Sequence, residues 1–220
     1  MNALSNEPVV RTLDRLHQEA RGDWKHFVGI APRALWSRLT GKSFMKSIRP
    51  TDLSGAYIPV NREAGRFLYL MARSIDARRI VEFGTSFGIS TIYLAAAARD
   101  AGGMVYSTEI EPTKCRKAEA NLRDAGLAEH AKILEGDATK TLASVSGAID
   151  LLFLDGWKDL YVPILEQLLP QLRRGALVIA DNTDFADCRP YLDRIRAKDS
   201  GFVTMPMFGG TMEIAYNAGV

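Results

Sequence analysis

Apolar positions along the chain fall into two rhythms, and their alternation predicts the fold. Short β-branched or aliphatic runs stand at Arg79–Phe83, Met104–Glu109, Ala131–Glu135, Ile149–Leu154 and Ala176–Ala180. Between them the apolar residues recur at helical spacing, first as Phe67, Leu68, Leu70, Met71 and Ile75, then as an alanine-rich stretch to about Arg99. Further helices are predicted from Pro112 to a stop at Gly126, from Tyr161 to Leu172 and from Pro190 to Ala197. The run Ile149–Leu154 is almost unbroken, as expected of a strand covered on both faces. Two last strands, Phe202–Phe208 and Thr211–Tyr216, flank Gly209-Gly210, a two-residue hairpin signal. Five βα units closed by a hairpin predict a doubly wound α/β fold: a mostly parallel seven-stranded sheet with one antiparallel strand and helices on both faces.

The first third reads differently. Val9, Leu13 and Leu16 predict a helix from Val9 to about Glu19, and a second is plausible around Ala34 to Leu39. Both are expected to pack on the main domain as an N-terminal helical extension. From Gly41 to Tyr57, Ser, Pro, Gly and Asp interrupt scattered apolar residues, the pattern of a loop or lid. Trp24, Trp36, Phe44 and Met45 would suit an acceptor pocket, although ordinary packing is the blander reading for each.

Composition narrows the class. With 220 residues, 47% of them hydrophobic and 25% charged, the chain suits one soluble α/β domain. A net charge of +2 argues against a dedicated nucleic-acid binder. Residues 1–50 hold nine Lys/Arg against four Asp/Glu, more often a solvated helical face than a binding patch. Cys115 and Cys188 are too few for a disulfide framework and form no zinc pattern, which points to a reduced, cytoplasmic protein. Neither an export signal nor a membrane span is expected.

Candidate chemistry begins at Ile80-Val81-Glu82-Phe83-Gly84-Thr85-Ser86-Phe87-Gly88-Ile89-Ser90-Thr91, where a strand ends in a glycine-spaced turn before a helix. Glycines permit a sharp turn and the close approach of a ligand, and the next helix's first N–H groups, with Ser90, offer hydrogen bonds to an anion. Glu109, about 20 residues on, stands where an acid takes a ribose diol. A dinucleotide fingerprint would need G-x-G-x-x-G; the order here is E-x-G-x-x-x-G-x-S, which disfavours a pyrophosphate site. A plain βα turn is the blander alternative. In an open α/β sheet ligands bind outside the carboxyl ends of the strands, and Glu109, Asp137, Asp155 and Asp181 all stand at such ends. Asp155, Asp181 and Asn182 are oxygen donors suited to Mg²⁺ or a similar divalent ion, where a lone strand-end Asp would be read as a loop acid or cap.

The turn resembles motif I of the class I S-adenosylmethionine-dependent methyltransferases. With Leu154-Asp155-Gly156-Trp157-Lys158-Asp159 and Ala180-Asp181-Asn182, the resemblance sharpens to the catechol O-methyltransferase-like branch, over about residues 58 to 182. It implies a cofactor domain at 58–220 preceded by helices and a lid at 1–57. It also implies Mg²⁺ on Asp155, Asp181 and Asn182, with Lys158 as general base beside Asp155. Ser90 matches the residue that binds the methionine carboxylate, Glu109 the ribose ligand, and Val60 a residue whose backbone lies near the methionine end. Glu82, Gly84, Ser86, Gly88, Ile110, Asp137, Ala138, Asp155 and Trp157 complete the implied cofactor set, with the Asp137 end beside the adenine.

The implied activity is methylation of a hydroxyl on a small, aromatic, catechol-like molecule, often by a homodimer. A phenol with pKa near 10 needs activation at pH 7, and coordination that shifts it by ~2–3 units is worth about 3–4 kcal/mol. Two departures stand out: Gly156 replaces a histidine of the animal catechol enzymes, and the Gly209-Gly210 hairpin is shorter than their final loop. Other readings are methylation of a non-phenolic hydroxyl and a non-catalytic cofactor-binding module. An exocyclic-amine methyltransferase would carry an Asn/Asp-Pro-Pro-aromatic motif where Asp155-Gly156-Trp157-Lys158 stands.

Overall fold

The computed structural model describes residues 2–22 and 60–219. Each predicted apolar run becomes a strand: β1 (Arg79–Phe83), β2 (Met104–Glu109), β3 (Ala131–Glu135), β4 (Ile149–Leu154), β5 (Leu172–Asp181), β6 (Phe202–Met207) and β7 (Met212–Asn217). They form one sheet in the order β3-β2-β1-β4-β5-β7-β6, with β7 antiparallel to both of its neighbours and the other pairings parallel. The helices are α1 (Glu7–Gly22), α2 (Arg62–Ser74), α3 (Ile89–Ala101), α4 (Pro112–Asp124), α5 (Ala138–Thr141), α6 (Tyr161–Leu168) and α7 (Arg189–Arg196).

Alternation along the central strands divides the core. Ile80, Leu151, Phe153 and Ile179 face α1, α2 and α3, whereas Val81, Phe83, Leu152, Leu154 and Val178 face α6 and α7. Both faces are thus covered, as the unbroken apolar run of β4 predicts. The alanines of α3 let it lie fully buried between the sheet and α2, and Gly102 ends it in the left-handed conformation. Asn61 caps α2 by accepting the Ala64 N–H at 2.8 Å. On α1, Arg15 reaches Asn121 and Asp124 of α4, so this part of the N-terminal extension docks on the domain.

Three boundaries differ from expectation. β5 starts at Leu172, because the register jumps from Ile149↔Leu172 to Leu151↔Leu177, and Gly175 at φ 82° absorbs the extra residues. α6 gives way after Leu168 to a 3₁₀ turn over Leu169–Gln171, since Pro170 has no N–H to continue the ladder. The hairpin is not a two-residue turn. Met207 and Met212 are the last pair, and Phe208, Gly209 and Gly210 all take positive φ in the four-residue connection. The predicted Ala34–Leu39 helix, the lid at 41–57, the pocket candidates Trp24, Trp36, Phe44 and Met45, and the 57/58 boundary lie outside the described residues. Among the described residues no helix is long and apolar enough to cross a membrane, and Cys115 and Cys188 are free and buried.

Candidate active site

The strand order reverses between β1 and β4, whose carboxyl ends lie side by side with Phe83 opposite Leu154. That switch point brings the glycine turn against the β4 acid. A Cβ on Gly84 would lie 2.7 Å from the Asp155 carbonyl oxygen, and Gly84 sits at φ +107°. Its missing side chain therefore also serves an approach of two backbones. Gly88, at φ +85°, starts α3 against Ala118.

The β1–β2 side is a network of carboxyls held by neutral donors. Glu82 is fully buried, and its Oε2 accepts from Thr91 Oγ1 and Ser107 Oγ, each at 2.5 Å. Thr85 Oγ1 meets Ser107 Oγ at 2.5 Å. Burial pushes the Glu82 carboxyl up to about 7, against the pull of hydroxyls on Ser107, Ser90 and Thr91. Ser90, implied as a cofactor ligand, thus also bears on Glu82. Glu109 accepts the Ser86 N–H at 2.8 Å and the Glu111 N–H at 3.0 Å, tying the end of β2 to the turn. Ile110 beside it is 52% exposed, an apolar surface next to the acid.

The other implied cofactor residues divide. Asp137 caps α5 through the Thr139 N–H and hydroxyl, bonds that hold its carboxyl below the usual range. Gly136 N–H donates to the Glu109 carbonyl at 2.8 Å, which brings this segment to the same rim, with Ala138 buried behind it. Val60 is a core residue at the entrance to α2, and Trp157 packs on the core around β4 and α6.

The β4–β5 side concentrates charge. Leu154 pairs with Ala180, so Asp155 and Asp181 follow on adjacent strand ends. Lys158 is buried at 4% exposure; its Nζ donates to Tyr161 Oη at 2.7 Å and to Asp155 Oδ1 at 3.5 Å. The Tyr161 hydroxyl in turn donates to the Asp181 carbonyl at 3.0 Å. Burial pushes Asp155 up to about 8, opposed by Lys158 and reinforced by the charges of Asp181 and Glu82. Burial likewise raises Asp181, against a hydrogen bond from the Asn182 N–H and the charge of Lys158. Among the described residues no three His, Cys, Asp or Glu side chains gather as a metal site. The oxygen donors at hand are the carboxyls of Asp155 and Asp181, whose like charges bear on each other, with Asn182 next in the chain; donors of this type suit a divalent cation.

Tyr161 is one residue that sequence reasoning missed. It is fully buried, edge-on to Phe83 and Tyr191, and joins the base candidate to the end of β5. Its position three residues after Lys158, at the start of a helix, was the available signal. Gly156, the departure from the animal enzymes, faces the Phe83 ring: a Cβ there would lie 2.5 Å from it. Phe83 occupies the space a side chain at 156 would need.

Comparison with known proteins agrees with this geometry. Residues 81–183 match the family model described as a methyltransferase domain. A catechol O-methyltransferase of Mycobacterium tuberculosis is 38% identical over 126 residues, 57% of this chain and 57% of that protein. Caffeoyl-CoA O-methyltransferase 2 of Petunia hybrida is 28% identical, over 55% of this chain and 52% of its own length. The chain thus spans little more than half the length of these curated relatives. Among solved structures, cofactor-bound Rv0187 from MTB superposes with a TM-score of 0.69 at 28% identity, covering 86% of this chain and 97% of that one. An O-methyltransferase from Bacillus cereus solved with SAH shares the fold, with a TM-score of 0.68 at 20% identity over 94% of this chain and 90% of its own.

Proposed function

With residues 81–183 as a methyltransferase domain, we propose that the chain transfers a methyl group from S-adenosylmethionine to a hydroxyl of a small aromatic, catechol-like acceptor, with a divalent cation such as Mg²⁺. The observation that carries this reading is the meeting of Lys158, Asp155 and the end of β5 beside the glycine turn. The names of the relatives, catechol and caffeoyl-CoA O-methyltransferase, support an aromatic acceptor and span a wide range of acceptor size.

Asp155, Asp181 and Asn182 would hold the cation, which when bound supplies the positive charge that makes a hydroxyl acidic enough to react at neutral pH. Lys158, entering as the neutral amine, takes the hydroxyl proton. Tyr161 holds the Lys158 nitrogen in place from the side of α6. The acceptor oxygen forms its bond to the methyl carbon as the carbon–sulfur bond breaks, and the electron pair returns to sulfur. Alignment of the two partners then does most of the remaining work. Glu109, held by the Ser86 N–H, would take the ribose, and the exposed Ile110 beside it would offer the adenine an apolar contact. The partner in this reading is a small hydroxylated molecule in the reducing cytoplasm.

The test is a panel of dihydroxyaromatics with S-adenosylmethionine. Methylation lost in EDTA and restored by Mg²⁺ supports the whole reading. Turnover unchanged in EDTA removes the metal, and no turnover on any member with no thermal shift from S-adenosylhomocysteine sinks the methyltransferase assignment.

A further inference from the structure

Glu82 is poorly explained as a purely structural group. A carboxyl buried in the middle of a sheet costs free energy unless its oxygens are satisfied. Here Thr91 Oγ1 and Ser107 Oγ both donate to Oε2, while Oε1 is buried without a hydrogen-bond partner among the described residues. Among the described residues no cation offsets it: the charged groups that bear on it are Glu109 at the end of β2 and Asp155 beyond β4, both acidic. Lys158, the lysine of this site, is engaged by Asp155 and Tyr161.

The donors are themselves held. Ser107 faces Glu82 across the β1–β2 pairing, and Thr91 projects from the first turn of α3. Thr85, in the glycine turn, donates to Ser107 Oγ, which leaves the Ser107 hydrogen for Glu82. The turn itself is tied to β2 by the Thr85 N–H on the Thr108 carbonyl at 3.0 Å. One oxygen is fixed by a chain of three hydroxyls, and the other is left at the C-terminal end of β1, where the cofactor's amino-acid end would arrive. That end carries an α-ammonium.

We infer that Thr91 and Ser107 are positioning residues: they hold one oxygen of Glu82 so that the other receives the ammonium group of the bound cofactor. The inference rests on the methyltransferase reading above. A charge-assisted hydrogen bond in a buried site contributes far more than one in water, and its strength depends on the carboxyl being pinned.

The experiment compares calorimetric Kd values for S-adenosylhomocysteine and its desamino analogue, which lacks only the ammonium. Wild type should prefer S-adenosylhomocysteine by about tenfold or more. Thr91→Val and Ser107→Ala should each cut that preference by roughly five-fold, with the desamino Kd within about twofold of wild type, and Thr91→Ser should restore it. Glu82→Gln should abolish the preference. Variants that weaken both ligands equally, or that keep the wild-type preference, overturn the inference; should Thr91→Val fail to fold, Ser107→Ala and Thr91→Ser carry the same comparison. If wild type binds both ligands with equal affinity, the inference alone fails. If it binds neither, the methyltransferase reading falls with it.

Discussion

The two halves of the site handle buried acid in opposite ways. At the β1–β2 ends, Glu82 and Glu109 are met by hydroxyls and backbone N–H groups, neutral donors set by the sheet register and the glycine turn. At the β4–β5 ends, Asp155 and Asp181 crowd each other beside Lys158, and burial raises both. The first half has the character of a preformed cradle for a ligand of fixed shape. The second is a cluster of like charges, where the cation of the proposed reaction would join the acids. A methyl donor whose structure never varies and an acceptor that must be ionised call for those two environments respectively.

Breaking the charged half should have the largest effect. Lys158→Ala is expected to lower kcat for a dihydroxyaromatic at pH 7 by about 10²–10⁴-fold, with the S-adenosylhomocysteine Kd changed by less than about threefold. Full turnover in this variant would remove the base. The join between the halves comes next. Gly84→Ala puts a Cβ against the Asp155 carbonyl at positive φ and should cost about 3 kcal/mol, a drop of roughly 10 °C in Tm.

The neutral half is sharpened by pH. Burial holds the folded Glu82 carboxyl at about 7 against an ordinary 4.5, so the folded protein keeps a proton that the unfolded chain has released. The stability this carries is complete below the unfolded value and is lost as pH rises through about 7. Glu82→Gln should therefore flatten the fall in ligand-free stability between about pH 5 and about pH 8, by roughly 2–3 kcal/mol in denaturant titrations. An unchanged slope would show that Glu82 is ionised throughout. Smallest is Tyr161→Phe, which removes the hydroxyl that accepts from Lys158; kcat should fall about tenfold while the cofactor Kd stays put.

Legibility followed the range of the interactions. The starts and ends of β1 to β4 agree with the apolar runs to the residue, because each run is bounded by a glycine, an acid or a polar turn next to it in sequence. The start of β5 was misread: Arg173, Arg174 and Gly175 belong to the strand only through a register jump against β4 and the bond from Arg173 to Asp150. The hairpin was misread for a similar reason, since Phe208 takes positive φ while its ring packs edge-on against Phe67 of α2. Among site residues, the acids and Lys158 stand out at strand ends. Thr85, Thr91, Ser107 and Tyr161 do not, because a hydroxyl in a helix or strand looks the same whether it faces solvent or a buried carboxylate.

By itself, the order of apolar runs and glycine stops determined a doubly wound sheet with acids along one rim, because side-chain periodicity and turn chemistry act between near neighbours. Only the tertiary structure decided what those acids touch. The β1–β4 switch point sets Gly84 against Asp155, the β1–β2 register aims Ser107 at Glu82, and α6 brings Tyr161 between Lys158 and Asp181. The Gly84–Asp155, Ser107–Glu82 and Tyr161–Asp181 contacts join residues far apart in the chain, and their energy depends on burial, which no local pattern records.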